Sequence, residues 1–272
     1  MPSAASIPII PNLRHIIKDV DRHTDTGFRA FTNINLPARP DDSWGMACEM
    51  PSWVEEVHNK TSGRCFLFGT GPSLVQQLPV LSAKKHANTF TSNRMRRWKE
   101  LPFTPWVHCV TEPGPLIQWG KRINQEYDFP EATHRVCCIW FRVTAPGWRW
   151  LPKAPDDVQT RWQGYWGTQE SLPPLPTAWA SPLTIGQVAL WMGFTELILL
   201  GCDTTQTGQA WDPVYGRTQQ ARNIRSIIEC AERAYRDVKR AGRTMIDCTP
   251  GGRLNQEGAI PYVPLEEVLG SK

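Results

Sequence analysis

Residues 181–203 read SPLTIGQVALWMGFTELILLGCD, and they constrain the fold more than any other stretch. Ile185, Val188, Ala189 and Met192 recur at helical spacing behind a Ser181-Pro182 start, and Gly193 closes the run. Beyond it, Leu197-Ile198-Leu199-Leu200 has no polar alternation, so a strand there must be covered on both faces. A helix that feeds directly into such a strand is the pattern of a parallel α/β sheet.

A second strand-to-helix junction lies at CFLFGTGPSL, residues 65–74. An apolar strand over 64–68 stops at Gly69-Thr70-Gly71, and Pro72 suits the first turn of a helix over about 72–78. Unpaired N–H groups and the helix dipole at such a junction favour phosphate. The spacing is not G-x-G-x-x-G, and no Gly-Lys-Ser/Thr follows, so both a phosphate loop and an ordinary β-to-α turn stay open. Further strands are expected at 88–92, 106–110, 135–141 and 244–248, with a charged helix at 218–241. Gly69–Ser73, Asn93, Thr111-Glu112, Gly201–Asp203 and Thr249–Gly251 end those strands, and ligands of open α/β sheets bind beyond strand carboxyl ends.

The expected organisation is an irregular lead-in over 1–60, in which Pro51–Val57 starts a short helix, and one α/β domain over 61–272 ending in an extended tail. Between 144 and 180 periodicity fails, and Trp148, Trp150, Trp162, Trp166 and Trp179 lie among prolines. Such a segment reads as a lid-like insertion or as a surface loop pinned by buried indoles. Those rings suit stacking on sugars or bases as well as burial.

The net charge of +4 fits an anionic substrate such as a nucleotide and is too small to imply nucleic-acid binding. The eight cysteines form no C-x-x-C and no zinc spacing with histidine, which argues against a metal cluster and for a reducing compartment. No apolar run reaches transmembrane length, and the N-terminus lacks the basic segment of a secretion signal. A cytoplasmic location is therefore expected.

Taken together, Gly69-x-Gly71-Pro72-Ser73-Leu74, Asn93, the Ser181 helix with its Gly-Cys-Asp strand end, and the C-terminal DCTPGGRL carry a resemblance. In order and spacing they resemble the variant Rossmann superfamily of archaeal 6-hydroxymethylpterin diphosphokinase-like proteins and bacterial sialyltransferases. The resemblance covers about residues 63–112 and 180–268. It implies a Rossmann-like, mostly parallel sheet flanked by helices, carrying a nucleotide site. By that likeness Gly69, Thr70, Gly71 and Ser73 would hold phosphate or ribose, and Asn93 would bond the nucleotide. Ser181 and Thr184 would face the phosphates, while Thr249, Pro250 and Gly251 would line the base or ribose.

Two departures matter. The sialyltransferases usually carry Asn where this chain has Thr70. They also use a histidine base beyond the Gly-x-Asp strand, whereas the last histidine here is His134. Asp203 or Asp212 would replace it as proton acceptor, with Tyr215 supporting the leaving phosphate.

Each candidate has a plainer alternative. Asp203 is a catalytic or metal carboxylate or a structural cap, Asp212 a base or a solvated turn residue, and Asn93 a ligand contact or a left-handed turn residue. Glu112 with Asp203 would bind magnesium. Arg94, Arg96, Arg97 and Lys99 read as a solvated face or a phosphate contact, His108 as core and His134 as surface. The leading expectation is a transferase moving a sugar from a nucleotide-sugar donor to a hydroxyl of a small-molecule or glycan acceptor. The alternatives are a magnesium–ATP diphosphokinase acting on a hydroxymethyl group and a non-catalytic nucleotide-binding protein. A nucleic-acid acceptor and a homo-oligomer are further partner expectations.

Overall fold

The computed structural model describes residues 29–31, 52–82, 88–93, 95, 99, 101–111, 129–130, 133–139, 142–144, 148–152, 180–204 and 224–270. Its centre is a parallel sheet of seven strands. In chain order these are β2 (Arg64–Phe68), β3 (Thr89–Ser92), β4 (Val107–Val110), β5 (His134–Ile139), β7 (Trp148–Pro152), β8 (Glu196–Leu200) and β9 (Thr244–Asp247). A separate antiparallel pair joins β1 (Arg29–Phe31) to β6 (Arg142–Thr144). The helices are α1 (Ser52–Glu56), α2 (Ser73–Ser82), α3 (Ser181–Met192), α4 (Ile224–Arg240), α5 (Arg253–Gln256) and α6 (Leu265–Gly270).

The spatial order is β7-β5-β4-β3-β2-β8-β9, every neighbour parallel. The chain steps outward from β2 to β7, then α3 returns it to β8 on the other flank of β2. The direction of winding therefore reverses between β2 and β8, where an open α/β sheet opens its crevice. This is the expected α/β, Rossmann-like architecture, and the sheet is parallel throughout.

The unalternating runs follow from two-sided burial. Cys65 and Leu67 of β2 and Leu197 and Leu199 of β8 join the core under α3 and α4. Phe66, Phe68, Ile198 and Leu200 point the other way, into a core shared with α2 and α6. Lying across β2, β3 and β8, α3 is buried at every residue from Pro182 to Met192. Such a helix needs a cover on its outer side. Residues 52–61 supply it: His58 stacks on Trp191 with centroids 3.8 Å apart, and Trp191 Nε1 donates to Val54 O at 2.9 Å. Asn59 N donates to Trp191 O at 3.0 Å, and Thr61 N and Oγ1 to Met192 O at 2.9 and 2.7 Å. They satisfy carbonyls that a helix end leaves open.

Two expectations are corrected here. Trp148–Pro152, expected inside an aperiodic insertion, form edge strand β7. As an edge strand it tolerates the exposed Arg149 and the terminal Pro152 that obscured its pattern. The tail is not extended: α5 and α6 lie in it, with Leu254, Leu265 and Val268 buried. Of the insertion, residues 145–147 and 153–179 lie outside the described residues.

Candidate functional site at the carboxyl edge of the sheet

Both loops at the reversal are drawn against each other by backbone bonds. Gly69 N donates to Leu200 O at 2.7 Å and Gly71 N to Gly201 O at 2.8 Å. The approach is close enough that a Cβ on Gly71 would lie 2.6 Å from Gly201 O and overlap the Asp203 carboxylate. Glycine at 69 and 71 is thus required by the crossing of two chain segments.

Asp203, 9% exposed, lies at the end of β8 and reaches back to α2. Ser73 N donates to Oδ1 at 3.2 Å and Ser73 Oγ to Oδ2 at 2.7 Å. The carboxylate therefore caps the first turn of α2 and opposes its dipole. Burial raises the Asp203 pKa from its ordinary value, while the two Ser73 bonds pull the other way. The N–H groups of Gly69, Gly71 and Ser73 are all engaged within the protein. In that loop Thr70 is different: among the described residues its N–H and hydroxyl take no partner.

On the far side of β8, Thr249 Oγ1 accepts the Cys202 N–H at 2.9 Å, and Arg253 N donates to Asp203 O at 3.0 Å. Gly251 turns this loop at φ 64°. The loop is held by Asp247, which is fully buried and accepts from Thr249 N at 2.9 Å and Asn255 Nδ2 at 3.1 Å. Burial pushes the Asp247 carboxyl up to about 6 against those bonds, and the charge of Asp203 adds to the rise. Between the two carboxylates, burial first, then Asp247 and Asp203, push the Cys202 thiol well up, so it stays protonated.

Gln77, also buried, joins the two loops. Its Oε1 accepts from Gly201 N at 3.1 Å, and its Nε2 donates to Cys248 O at 2.5 Å. Ser73 and Gln77 stand four residues apart on one face of α2, which therefore fixes the ends of both β8 and β9. Sequence reasoning missed Gln77 and Asp247. Helical spacing from Ser73 and the turn signal Asp247-x-Thr249 were the only traces of them.

A second polar group lies over β3 and β4. Asn93, at φ 45°, accepts from Thr111 N at 2.7 Å and donates through Nδ2 to Ser181 Oγ at 2.5 Å. Thr111 Oγ1 is hydrogen-bonded to Ser181 Oγ at 2.8 Å. The same Thr111 hydroxyl lies 3.2 Å from Asn93 Oδ1, so Asn93, Thr111 and Ser181 form one closed polar cluster. It heads α3, whose N-cap is Ala180 with no side-chain capping bond, beside a proline in the first turn. Thr184 lies one turn in, 1% exposed, with its hydroxyl directed to Ala180 O at 3.3 Å. Asn93, Ser181 and Thr184 thus share one corner of the carboxyl edge, and Asp203, Thr249 and the glycine loop share the next.

No protein-family model and no curated protein matches the chain. In structure it is similar to the sialyltransferase CstII from Campylobacter jejuni in complex with a substrate analogue, cytidine-5′-monophosphate. That likeness has 12% identity and a TM-score of 0.45, and covers 75% of this chain and 86% of that one. It is similar also to the sialyltransferase CST-II in complex with trisaccharide acceptor and CMP, at 13% identity and a TM-score of 0.46, covering 75% and 87%. At such TM-scores these likenesses carry no functional argument, which rests on the residues themselves.

Glu112, Asp212 and Tyr215, together with Arg94, Arg96 and Arg97, lie outside the described residues. Among the described residues no group of three or more His, Cys, Asp or Glu side chains could hold a metal ion. The magnesium pairing expected of Asp203 with Glu112 falls partly outside the described residues, because Glu112 does. No helix among the described residues is long and apolar enough to cross a membrane. His108 is fully buried, bonded to Thr91 Oγ1 at 2.9 Å, and burial lowers its pKa to about 3, as a neutral core histidine. His134 is exposed, and the seven described cysteines are free thiols.

Proposed function

We propose that the chain is a transferase that binds a nucleotide-activated sugar at the carboxyl edge of the sheet and passes the sugar to a hydroxyl acceptor. The observation that carries this reading is the N-terminus of α3, which has no side-chain cap, presented together with the Ser181 hydroxyl at the edge that also holds Asp203. A helix N-terminus with a hydroxyl suits a phosphate, and the charge that grows on it as it leaves. Asn93 and Thr111 fix the Ser181 oxygen, so the subsite is set before ligand arrives.

In the transfer, the bond between the sugar carbon and the phosphate oxygen breaks and the electron pair stays on the phosphate. The acceptor oxygen forms the new bond to carbon, and its proton passes to Asp203. Each Asp203 oxygen accepts one bond from Ser73 and retains a lone pair, and its raised pKa favours proton uptake. Thr70 and Gly251 would line ribose and base between the loops, with Thr249, fully buried, holding the end of β8 beneath them.

The test is calorimetric titration with CMP, CDP, UDP, GDP, AMP and a non-hydrolysable ATP analogue, each with magnesium and with EDTA. Metal-independent binding of a pyrimidine nucleotide is expected. Magnesium-dependent binding of the ATP analogue alone would replace this reading with pyrophosphate transfer, and binding of none would remove the nucleotide site.

A further inference from the structure

Beyond Asp203 the chain enters a conformation that its residue does not favour. Thr204 has φ 54°, in the left-handed region, where a branched Cβ is crowded. Glycine or asparagine would take this backbone with less strain, as Gly201 at φ 61° and Asn93 at φ 45° do. The backbone alone therefore gives no reason for threonine here. The turn is next to the point where the glycine loop and Asp203 touch, and Thr204 is half-buried there.

Its polar groups are divided in a specific way. Oγ1 donates its proton to Cys202 O at 3.0 Å, so toward a ligand it offers lone pairs only. Its N–H takes no acceptor among the described residues. Neighbouring N–H groups are engaged: Cys202 N with Thr249 and Gly201 N with Gln77. The residue therefore presents one donor and one acceptor, beside a carboxylate. A phosphate, which has only acceptor oxygens, would be repelled by Oγ1 and by Asp203. A carbon-bound hydroxyl accepts from the N–H and donates to Oγ1, and suits the position.

We infer that Thr204 is a specificity-determining contact for a hydroxylated ring of the donor, either the ribose or the sugar to be transferred. This rests on the transferase reading above and adds to it a residue and the part of the donor that it reads. The strained backbone leaves the side-chain oxygen tied to Cys202 O and the N–H without an acceptor among the described residues.

The experiment compares wild type, Thr204→Val and Thr204→Ser by calorimetry. The probes are CMP, UDP, their 2′,3′-dideoxy forms, and UDP-glucose. Loss of one such hydrogen bond corresponds to about tenfold in affinity. If ribose is the ring, valine weakens the ribonucleotide about tenfold, leaves the dideoxy form unchanged, and so abolishes the discrimination between them. If the transferred sugar is the ring, valine removes any affinity that UDP-glucose has over UDP. Serine restores either effect, which a purely structural role for the side chain would not predict. Should the valine variant not fold, Thr204→Gly, which accommodates the same backbone, takes its place. Wild-type discrimination retained in the variants overturns the inference and leaves the nucleotide site standing; a wild type that binds no probe overturns both.

Discussion

Replacing Asp247 by Asn makes the pH dependence of folding the readout of a buried carboxyl. Asp247 is 0% exposed, and burial holds its pKa at about 6 against an ordinary 3.8. The folded-state value lies above the unfolded one, so ionisation of Asp247 works against the fold. That penalty is fully present above about pH 6 and is relieved as pH falls toward about 4. A rise from 3.8 to about 6 corresponds to about 3 kcal/mol. In Asp247→Asn the side-chain oxygen can still accept the Thr249 N–H, but the new amide faces the amide nitrogen of Asn255. The cost of that mismatch does not titrate. Urea unfolding of both proteins between about pH 4 and pH 7 separates the two effects. Wild type should gain about 3 kcal/mol over the variant on going from the neutral to the acid end, on top of any constant offset. Parallel profiles would show that Asp247 titrates in the folded protein near its unfolded value, and would refute the reasoning from burial.

Two further substitutions probe what holds the site in place. In Gly71→Ala the new methyl meets Asp203 and the Gly201 carbonyl. It should destabilise the fold by about 3 kcal/mol by denaturant titration and reduce nucleotide affinity in calorimetry, because either the loop or the carboxylate must move. Trp191→Phe keeps a ring for His58 to stack on and removes the Nε1–H bond to Val54 O. A loss of about 1–3 kcal/mol is expected from the unfolding midpoint, with nucleotide affinity unchanged, since this contact lies at the opposite end of α3 from Ser181.

The strands that read clearly in the sequence are those covered on both faces. Leu197–Leu200 and Cys65–Phe68 had to be apolar throughout, whichever helices covered them. Trp148–Pro152 has a partner strand on one side only, and its Arg149 faces outward, so no apolar run marks it. The four residues of α5 and six of α6 are too short for a helical period to develop. At the site, positions were legible and partners were not. Gly69, Gly71, Asn93, Ser181 and Asp203 all end strands or begin helices, which spacing reveals. That Ser73 would bond Asp203, 130 residues away, depends on β2 and β8 lying side by side. Thr204 left no sequence signal, because its left-handed backbone belongs to residue types other than threonine.

Residues 52–61 precede the first strand of the large sheet, yet they close the far end of the helix whose near end carries Ser181. Gly193 leaves no room for a side chain there because the Thr61 carbonyl already occupies the space. A chain begun at residue 62 would lose more than a leader. It would bare the Trp191 indole to water and leave the carbonyls of Trp191 and Met192 without their donors. The stretch that reads as preamble in the sequence is the outer wall of the layer that α3 forms over the sheet.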